Sequence, residues 1–235
     1  MKYGRMKQAV FLSRPNRFIA NVLVDGKEEI CHVKNTGRCK ELLQPGVSIW
    51  IQKSDNPKRK TKYDLITVKK EDYLINMDSQ IPNKVVEDWL HTSEAGKVIG
   101  NITFIKREVK YRNSRFDVYF EYEKGGICKK CFMEVKGVTL EEDGVVRFPD
   151  APSLRAVKHL QELELACQEG YEAYVMFVIQ MRPVKELRPN WDTHREFAEV
   201  LQQVSHHGVK VFAYECAVET DSIEMVSEVP VILAE

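Results

Sequence analysis

Three side chains of the kinds that handle a metal ion and a phosphate occur close together in this sequence. They are Asp117, Glu134 and Lys136, the last two within the run FMEVK at 132–136. Side chains alternate along a strand, so Glu134 and Lys136 share a face if this run is a strand, while Val135 points into the core. With Asp117 on a neighbouring strand, the three side chains converge and can hold a divalent cation and position a water. Phosphodiester hydrolysis uses such a set.

Each member of the set has a predicted role in catalysis. Asp117 and Glu134 are the predicted metal ligands, because Mg²⁺ prefers carboxylate oxygens and Mn²⁺ can replace it. Lys136 is predicted to orient or help deprotonate the attacking water, or to stabilise charge on the phosphate. The spacing alone is not specific, because Glu and Lys often alternate on the solvent face of a strand.

A second group of candidates follows on a predicted helix at 153–168. Arg155 and His159 are neighbours at i and i+4, and Lys158 lies beside them, so all three are predicted to contact a phosphate. Lys158 has an alternative, because it can form a surface ion pair with Glu162 instead.

The elements that would position these residues can be read from the pattern of apolar residues. A helix begins at Pro82 and ends at Gly96 or Gly100. Strands at 102–111, 115–122 and 127–136 follow, then the helix at 153–168 and a strand at 172–181. A helix at 193–207 and a strand at 209–216 complete the predicted order α-β-β-β-α-β-α-β.

The front of the chain has a different pattern, of short strands separated by turns. Strands are predicted at 17–24, 28–33, 47–52, 62–69 and 73–76, with a hairpin turn at 25–26 and one helical turn at 38–43. About five strands with basic loops are typical of an OB-fold barrel, which binds nucleic acid through basic grooves and stacked rings. Three aromatic side chains are candidates for stacking, although core packing is the commoner fate of strand aromatics: Phe18, Trp50 and Tyr63.

Charge is distributed unevenly along the chain. The net formal charge is zero, but residues 1–70 hold 16 Lys and Arg against 6 Asp and Glu, and the remainder holds 19 against 29. This asymmetry indicates a polyanion-binding front half, although a solvated basic surface gives the same pattern. Lys58, Arg59 and Lys60 in a polar loop, and Arg38 in the turn NTGR at 35–38, are predicted nucleic-acid contacts. Arg38 can alternatively cap or pair locally.

The remaining composition narrows the class of protein. Nothing resembles a signal peptide and no apolar run approaches a membrane span, so a soluble cytoplasmic protein is expected. Of the six cysteines, Cys128 and Cys131 alone form a C-x-x-C pair. Without a second pair at zinc-finger spacing, and with the two facing opposite sides of a strand, reduced thiols are favoured over zinc.

Several stretches together resemble the sugar fermentation stimulation protein family, SfsA, over nearly the whole chain. They are FIANV at 18–22, HVKNTGR at 32–38, SRFD at 114–117, EVKGVTL at 134–140, FPDAP at 148–152 and KHLQEL at 158–163. Two positions depart from the family pattern. Lys34 stands where proline is common, and Gly137 stands where a polar residue is frequent.

The resemblance implies an α+β protein of two domains. Residues 1–80 form a five-stranded OB-like barrel, and residues 81–235 form an α/β/α domain with a mixed sheet, similar to restriction endonucleases and to PD-(D/E)xK nucleases. The nuclease-like motif falls on Asp117, Glu134 and Lys136. The resemblance also implies DNA binding with little sequence preference and a regulatory role in sugar metabolism.

Three functions stay open at this point. The first is a Mg²⁺-dependent or Mn²⁺-dependent nuclease with a DNA-binding barrel. The second is a non-catalytic DNA-binding regulator on a nuclease scaffold, since a fold does not decide a function. The third is an RNA-binding or RNA-processing protein, because barrels of this type serve both nucleic acids.

Overall fold

The structure is a computed structural model that describes residues 1–35 and 37–235. The front of the chain contains the strands β1 (Met6–Asn16), β2 (Ile19–Val24), β3 (Lys27–Val33), β4 (Ser48–Lys53), β5 (Tyr63–Lys70) and β6 (Tyr73–Asn76). They form a sheet in the order β3-β2-β1-β4-β5-β6, and β3 also pairs in parallel with β5. That extra pairing closes β1 to β5 into a five-stranded barrel and leaves β6 as an extension.

The predicted barrel is confirmed, but one of its strands differs from the prediction. β1 was not predicted, and it pairs with both β2 and β4 at the centre of the sheet order. The predicted strand at 73–76 is β6, which lies outside the closed barrel. Only a few β1 residues, Ala9 and Phe11 among them, face the core, so its own pattern is weak and its pairing on both sides stabilises it.

The predicted hairpin at 25–26 is present between β2 and β3. Asp25 and Gly26 both have positive φ, at 51° and 74°, and Val24 pairs with Lys27 across the turn. Positive φ at both central residues matches the right-handed twist of the two strands and sets their register.

The rest of the chain forms the C-terminal domain. Its helices are α1 (Pro82–Leu90), α2 (Ser93–Val98), α3 (Leu154–Gln168) and α4 (Arg195–His206). Its longer strands are β7 (Asn101–Tyr111), β8 (Ser114–Lys124), β9 (Ile127–Val138), β12 (Glu172–Ile179), β14 (Lys210–Val218) and β15 (Ile223–Glu228). A small sheet contains β10 (Glu141–Glu142), β11 (Val145–Phe148) and β13 (Glu186–Pro189).

The main sheet of this domain is mixed and lies between two layers of helices. Its order is β15-β14-β12-β9-β8-β7, in which β9, β12 and β14 are parallel and the other pairs antiparallel. Helix α1 packs on one face through Val86 and Trp89. Helices α3 and α4 pack on the other through Leu160 and Leu201. The α/β/α prediction is therefore confirmed.

The first helix of the domain differs from the prediction of one continuous helix. It ends at Leu90, and α2 begins after Thr92. The Thr92 hydroxyl donates to the Trp89 carbonyl at 2.6 Å and accepts from the Ala95 amide at 3.3 Å. One side chain thus ends the first helix and caps the second, as threonine commonly does at a helix N-terminus.

Apolar packing joins the barrel to the C-terminal domain. Ile49 and Leu65 of the barrel belong to the same buried cluster as Phe177 and Leu201 of the sheet and α4. None of the helices in the described part of the chain combines the length and apolar character that crossing a bilayer requires.

Candidate active site

Strands β8 and β9 bring the predicted catalytic residues together. They run antiparallel, with Val118 opposite Met133, so Asp117 lies at the level where β9 continues into Glu134 and Val135. The Val135 amide donates to Asp117 Oδ2 at 2.8 Å, and the Asn83 side chain at the start of α1 donates to Oδ1 at 2.8 Å. Both oxygens of this carboxylate are therefore fixed, one by each neighbouring element.

Glu134 and Lys136 share a face of β9, as alternation predicts. The Lys136 ammonium donates to Glu134 Oε1 at 2.7 Å, and both side chains are largely buried. The second oxygen, Oε2, is buried and has no hydrogen-bond partner in the described residues. A buried carboxylate oxygen without a donor is costly, and a ligand at this oxygen would remove that cost.

Helix α3 adds His159 to the site in a position that the phosphate-contact prediction did not anticipate. The His159 ring is buried at 4% exposure, and its Nδ1 is hydrogen-bonded to Glu134 Oε1. The prediction of a direct phosphate contact for His159 therefore conflicts with its burial. Arg155 lies one turn earlier, exposed, with its Nε 3.4 Å from His159 Nε2.

The two carboxylates have opposite pKa shifts. Burial, followed by the nearby charge of Glu134, raises the pKa of Asp117 to about 6. Burial also acts to raise the pKa of Glu134, but His159 and Lys136 outweigh it and hold that pKa below its ordinary value. Mutual repulsion of two buried carboxylates is relieved by a cation between them, as in many metal sites.

The donor set fits a hard divalent cation. Within residues 1–35 and 37–235, no group of three or more His, Cys, Asp and Glu side chains converges as a complete metal cage. Mg²⁺ typically takes one or two carboxylates and completes its shell with waters and phosphate oxygens, so Asp117 and Glu134 suffice. The unpartnered Oε2 of Glu134 is the observation in favour of this fit.

The other predicted phosphate contacts fall into two groups. Lys58, Lys60 and Lys158 are exposed, and Lys158 lies 3.7 Å from Glu162, as its alternative required. Arg59 is different, because its guanidinium donates to both oxygens of buried Asp64, at 2.8 and 2.6 Å. This ion pair neutralises most of the positive charge that Arg59 would otherwise present to a phosphate.

The turn that carries Arg38 is organised by Arg14, which the sequence did not single out. The Arg14 guanidinium donates to the carbonyls of Asn35, Gly37, Arg38 and Arg17, at 2.6 to 2.8 Å. Arg14 therefore holds the turn against the β1–β2 hairpin. The Arg38 side chain makes none of these bonds and is exposed. Thr36 of the same motif lies outside the described residues.

Contacts within each domain account for the two departures from the family pattern. The Lys34 ammonium donates to buried Asp78 at 2.8 Å. A Cβ at Gly137 would lie 2.5 Å from Gln180 Oε1 and 2.8 Å from Pro82 Cγ, so a side chain here would require one of these neighbours to move.

The two possible stacking rings on strands are partly or wholly buried. Tyr63 is 8% exposed and Trp50 is half-buried, whereas Phe18 in the β1–β2 turn is 51% exposed.

The two thiols of the C-x-x-C pair differ in burial, because Cys128 is exposed and Cys131 is buried. Both are free thiols.

Comparison with known proteins assigns the chain to a family. Residues 80–222 match the model of the sugar fermentation stimulation protein RE domain, and residues 12–77 match that of the SfsA N-terminal OB domain. A sugar fermentation stimulation protein homolog from Clostridium beijerinckii is 54% identical over 99% of this chain and 100% of its own length. A homolog from Desulfitobacterium hafniense is 55% identical over the full length of both chains.

A solved structure supports the same assignment. The structure of Pyrococcus furiosus SfsA in complex with Ca²⁺ superposes with a TM-score of 0.87 at 27% identity, covering 99% of this chain and 98% of that one. Together with the matches to the two family models and to the homologs, this similarity shows that the chain belongs to the sugar fermentation stimulation protein family.

Proposed function

We propose that this protein binds DNA and hydrolyses phosphodiester bonds with Mg²⁺ or Mn²⁺ held by Asp117 and Glu134. The observation that carries the proposal is the pair of buried carboxylates beside Lys136, with one oxygen of Glu134 lacking a donor among residues 1–35 and 37–235. Ca²⁺ in the Pyrococcus furiosus relative supports a site for a hard divalent cation in this fold. Residues 1–80 would contribute nucleic-acid binding and residues 81–235 the chemistry.

The chain's own residues divide the work in this proposal. Asn83 and the Val135 amide orient the Asp117 carboxylate, and His159 orients Glu134. A divalent cation, when bound, neutralises phosphate charge and lowers the pKa of water. The Lys136 ammonium lies 2.7 Å from Glu134 Oε1 on the same strand, so Lys136 is the proposed group for orienting water or stabilising charge on the phosphate.

The decisive experiment is a cleavage assay on supercoiled and single-stranded DNA with Mg²⁺ or Mn²⁺. Asp117→Asn should reduce cleavage at least about 100-fold while binding is retained, because it removes a metal ligand and not a DNA contact. Asp72→Asn is the matched control, since Asp72 is exposed in the turn between β5 and β6. Calorimetric titration with Ca²⁺ gives a second readout, and Asp117→Asn should weaken that binding too.

A non-catalytic regulator of sugar-metabolism genes is the second candidate, and a specific observation favours it. Both oxygens of Asp117 and one of Glu134 are already hydrogen-bonded within the chain, so most of the site is satisfied without a ligand. Intact DNA under all metal conditions, with a clear gel shift, would establish this candidate over the nuclease. Preferential binding or cutting of a matched RNA would show that RNA, and not DNA, is the nucleic acid in either candidate function.

We also propose a cytoplasmic location for this protein. All six cysteines are free thiols in the structure, and thiols persist in reducing compartments.

A further inference from the structure

A groove of about 630 Å³ lies where the barrel meets the C-terminal domain. Four cationic side chains line it, Arg14, Arg17, Arg38 and Lys40, against a single carboxylate, Asp150. The groove therefore has three positive charges in excess, in a chain whose net charge is zero. Clefts lined by one sign of charge concentrate their field and attract ligands of the opposite sign.

Three of the four cations are available to a ligand. Arg17, Arg38 and Lys40 are exposed, and none of them forms an ion pair with any described residue. Arg14 has a different function, because its guanidinium is bound to the four backbone carbonyls that shape this wall. The chain thus uses one arginine to hold the other cations in place.

Helix α3 joins the opposite wall of the groove to the carboxylate site. Pro152 lines the groove, and Ser153 caps the N-terminus of α3 immediately after it. Arg155 in the first turn of that helix lies against His159, which is hydrogen-bonded to Glu134. A 15-residue helix thus presents its positive end to the groove and its second turn to the site.

A second, smaller cavity adjoins the groove and reaches the end of β9. It shares Gly37 and Asp150 with the groove and is also lined by Gly137 and Thr139, the residues of β9 and its extension that follow Lys136. Gly37 permits this close approach, because a Cβ there would lie 2.3 Å from Asp150 Oδ2. The groove and the end of the catalytic strand are therefore contiguous.

We propose that this groove binds the sugar–phosphate backbone of the nucleic acid on its way to Asp117 and Glu134, with Arg17, Arg38 and Lys40 contacting phosphates. The inference rests on the proposed function and adds the location of the main binding surface to it. Phe18 follows Arg17 in the same turn and is 51% exposed, which offers a ring to a neighbouring base. The basic loop at 58–60, where Arg59 is paired with Asp64, becomes a minor contact.

The test compares two sets of three charge removals in full-length protein carrying Asp117→Asn, so that DNA stays intact. The groove variant is Arg17→Gln, Arg38→Gln and Lys40→Gln. The control is Lys124→Gln, Lys129→Gln and Lys130→Gln, three exposed residues of the β8–β9 hairpin at the far end of β9. Fluorescence anisotropy with a labelled DNA duplex, at several salt concentrations, measures affinity, and thermal unfolding checks that both variants fold.

The groove variant should bind DNA at least about 10-fold more weakly than the parent, and the slope of log K against log salt should fall by about 0.9 for each lost phosphate contact. The control should keep both affinity and slope within about twofold of the parent. A folded groove variant with parental affinity and slope would overturn the groove alone. A parent protein that binds no nucleic acid would overturn the proposed function as well.

Inorganic phosphate distinguishes a backbone site from a site for the free ion. At equal concentrations of phosphate groups, unlabelled DNA should displace the labelled duplex and inorganic phosphate should not. Equal displacement by the free ion would overturn the assignment to nucleic acid.

Discussion

The barrel and the C-terminal domain each contain a carboxylate that is nearly inaccessible to solvent, and the surroundings of the two are alike. Asp64 in β5 is 5% exposed and is bonded by His32 and Arg59. Glu134 in β9 is 3% exposed and is bonded by His159 and Lys136. In both, burial acts to raise the carboxyl pKa, and the two cationic or imidazole partners outweigh it and lower that pKa.

The two carboxylates differ in whether each oxygen has a hydrogen-bond partner. Both oxygens of Asp64 accept from Arg59, and one also pairs with His32. Glu134 has both partners on one oxygen, and the other oxygen has none among the described residues. Glu134 also has a second carboxylate nearby, because its charge contributes to raising the pKa of Asp117 to about 6.

The comparison separates a carboxylate that stabilises the fold from one that is suited to chemistry. Burial and a lowered pKa are common to both, so neither property identifies a functional site on its own. The informative features are an oxygen without a donor and a second buried negative charge, which a fold would not retain for stability alone.

The largest expected contrast is in DNA cleavage. Glu134→Gln should reduce metal-dependent cleavage at least about 100-fold, because the variant loses the charge of a proposed metal ligand. Asp64→Asn should leave the rate per folded molecule within about threefold, because Asp64 lies in the barrel, on Arg59 and His32. Supercoiled-plasmid nicking measures both. Equal losses in the two variants would remove the distinction drawn between the sites.

For stability, in contrast to cleavage, the larger effect should come from the substitution at Asp64. Asp64→Asn should lower the free energy of unfolding by about 2 kcal/mol at pH 7, because the half-buried Arg59 loses a bidentate charged partner. Urea denaturation followed by circular dichroism measures this value. Asp72→Asn, in an exposed turn, should change the stability by less than about 0.5 kcal/mol.

The stability that Asp64 provides should depend on pH with a definite sign. Its folded pKa is lowered, so the contribution is complete above the unfolded pKa of about 4 and is lost as the pH falls through the lower folded pKa. The gap in unfolding free energy between the parent and Asp64→Asn should therefore be constant from pH 5 to 7 and narrow below about pH 4. A gap that widens at acid pH would show that the Arg59–Asp64 pair is not its source.

The smallest expected effect concerns the positioning of Glu134. His159→Gln should reduce cleavage about 10-fold, because the amide can replace one hydrogen bond to Glu134 but not the ring's packing against Phe116. His159→Ala should lose more, and partial rescue by Gln relative to Ala identifies a positioning role. Both variants should also weaken Ca²⁺ binding, measured by calorimetry, whereas a direct phosphate contact would affect DNA affinity instead.

The strands that carry the site were predictable because their patterns are long and local. Expected strands at 115–122 and 127–136 correspond to Ser114–Lys124 and Ile127–Val138. Elements without such a pattern were missed. β1 depends on pairing with two neighbours, and the short β11 pairs in parallel with β13, which lies some forty residues away. β15 lies beyond the last predicted strand at 209–216, where no strand was predicted, and pairs with β14 at the sheet edge.

The same distinction between local patterns and contacts between elements applies to the candidate site. Asp117, Glu134 and Lys136 were identified from residue types and strand alternation together with the family resemblance. The ion pair of Arg59 with Asp64 and the burial of His159 against Glu134 were not predicted. Each depends on a contact between residues from different elements or turns. Arg14 carries no local signal at all, since its four acceptors are backbone carbonyls whose positions the sequence does not encode locally.

The amino-acid sequence by itself determined the barrel and sheet classes, the reduced state expected of the thiols and the three residues of the candidate active site. These follow from short-range periodicity, turn chemistry and residue type, together with the family resemblance that the motifs carry. Only the tertiary structure decided which cations are free and which are neutralised, and that a groove between the domains lies beside the start of α3 and the end of β9. Charge pairing and burial depend on distances between segments far apart in the chain, and those distances exist only once the barrel has closed and packed against the sheet.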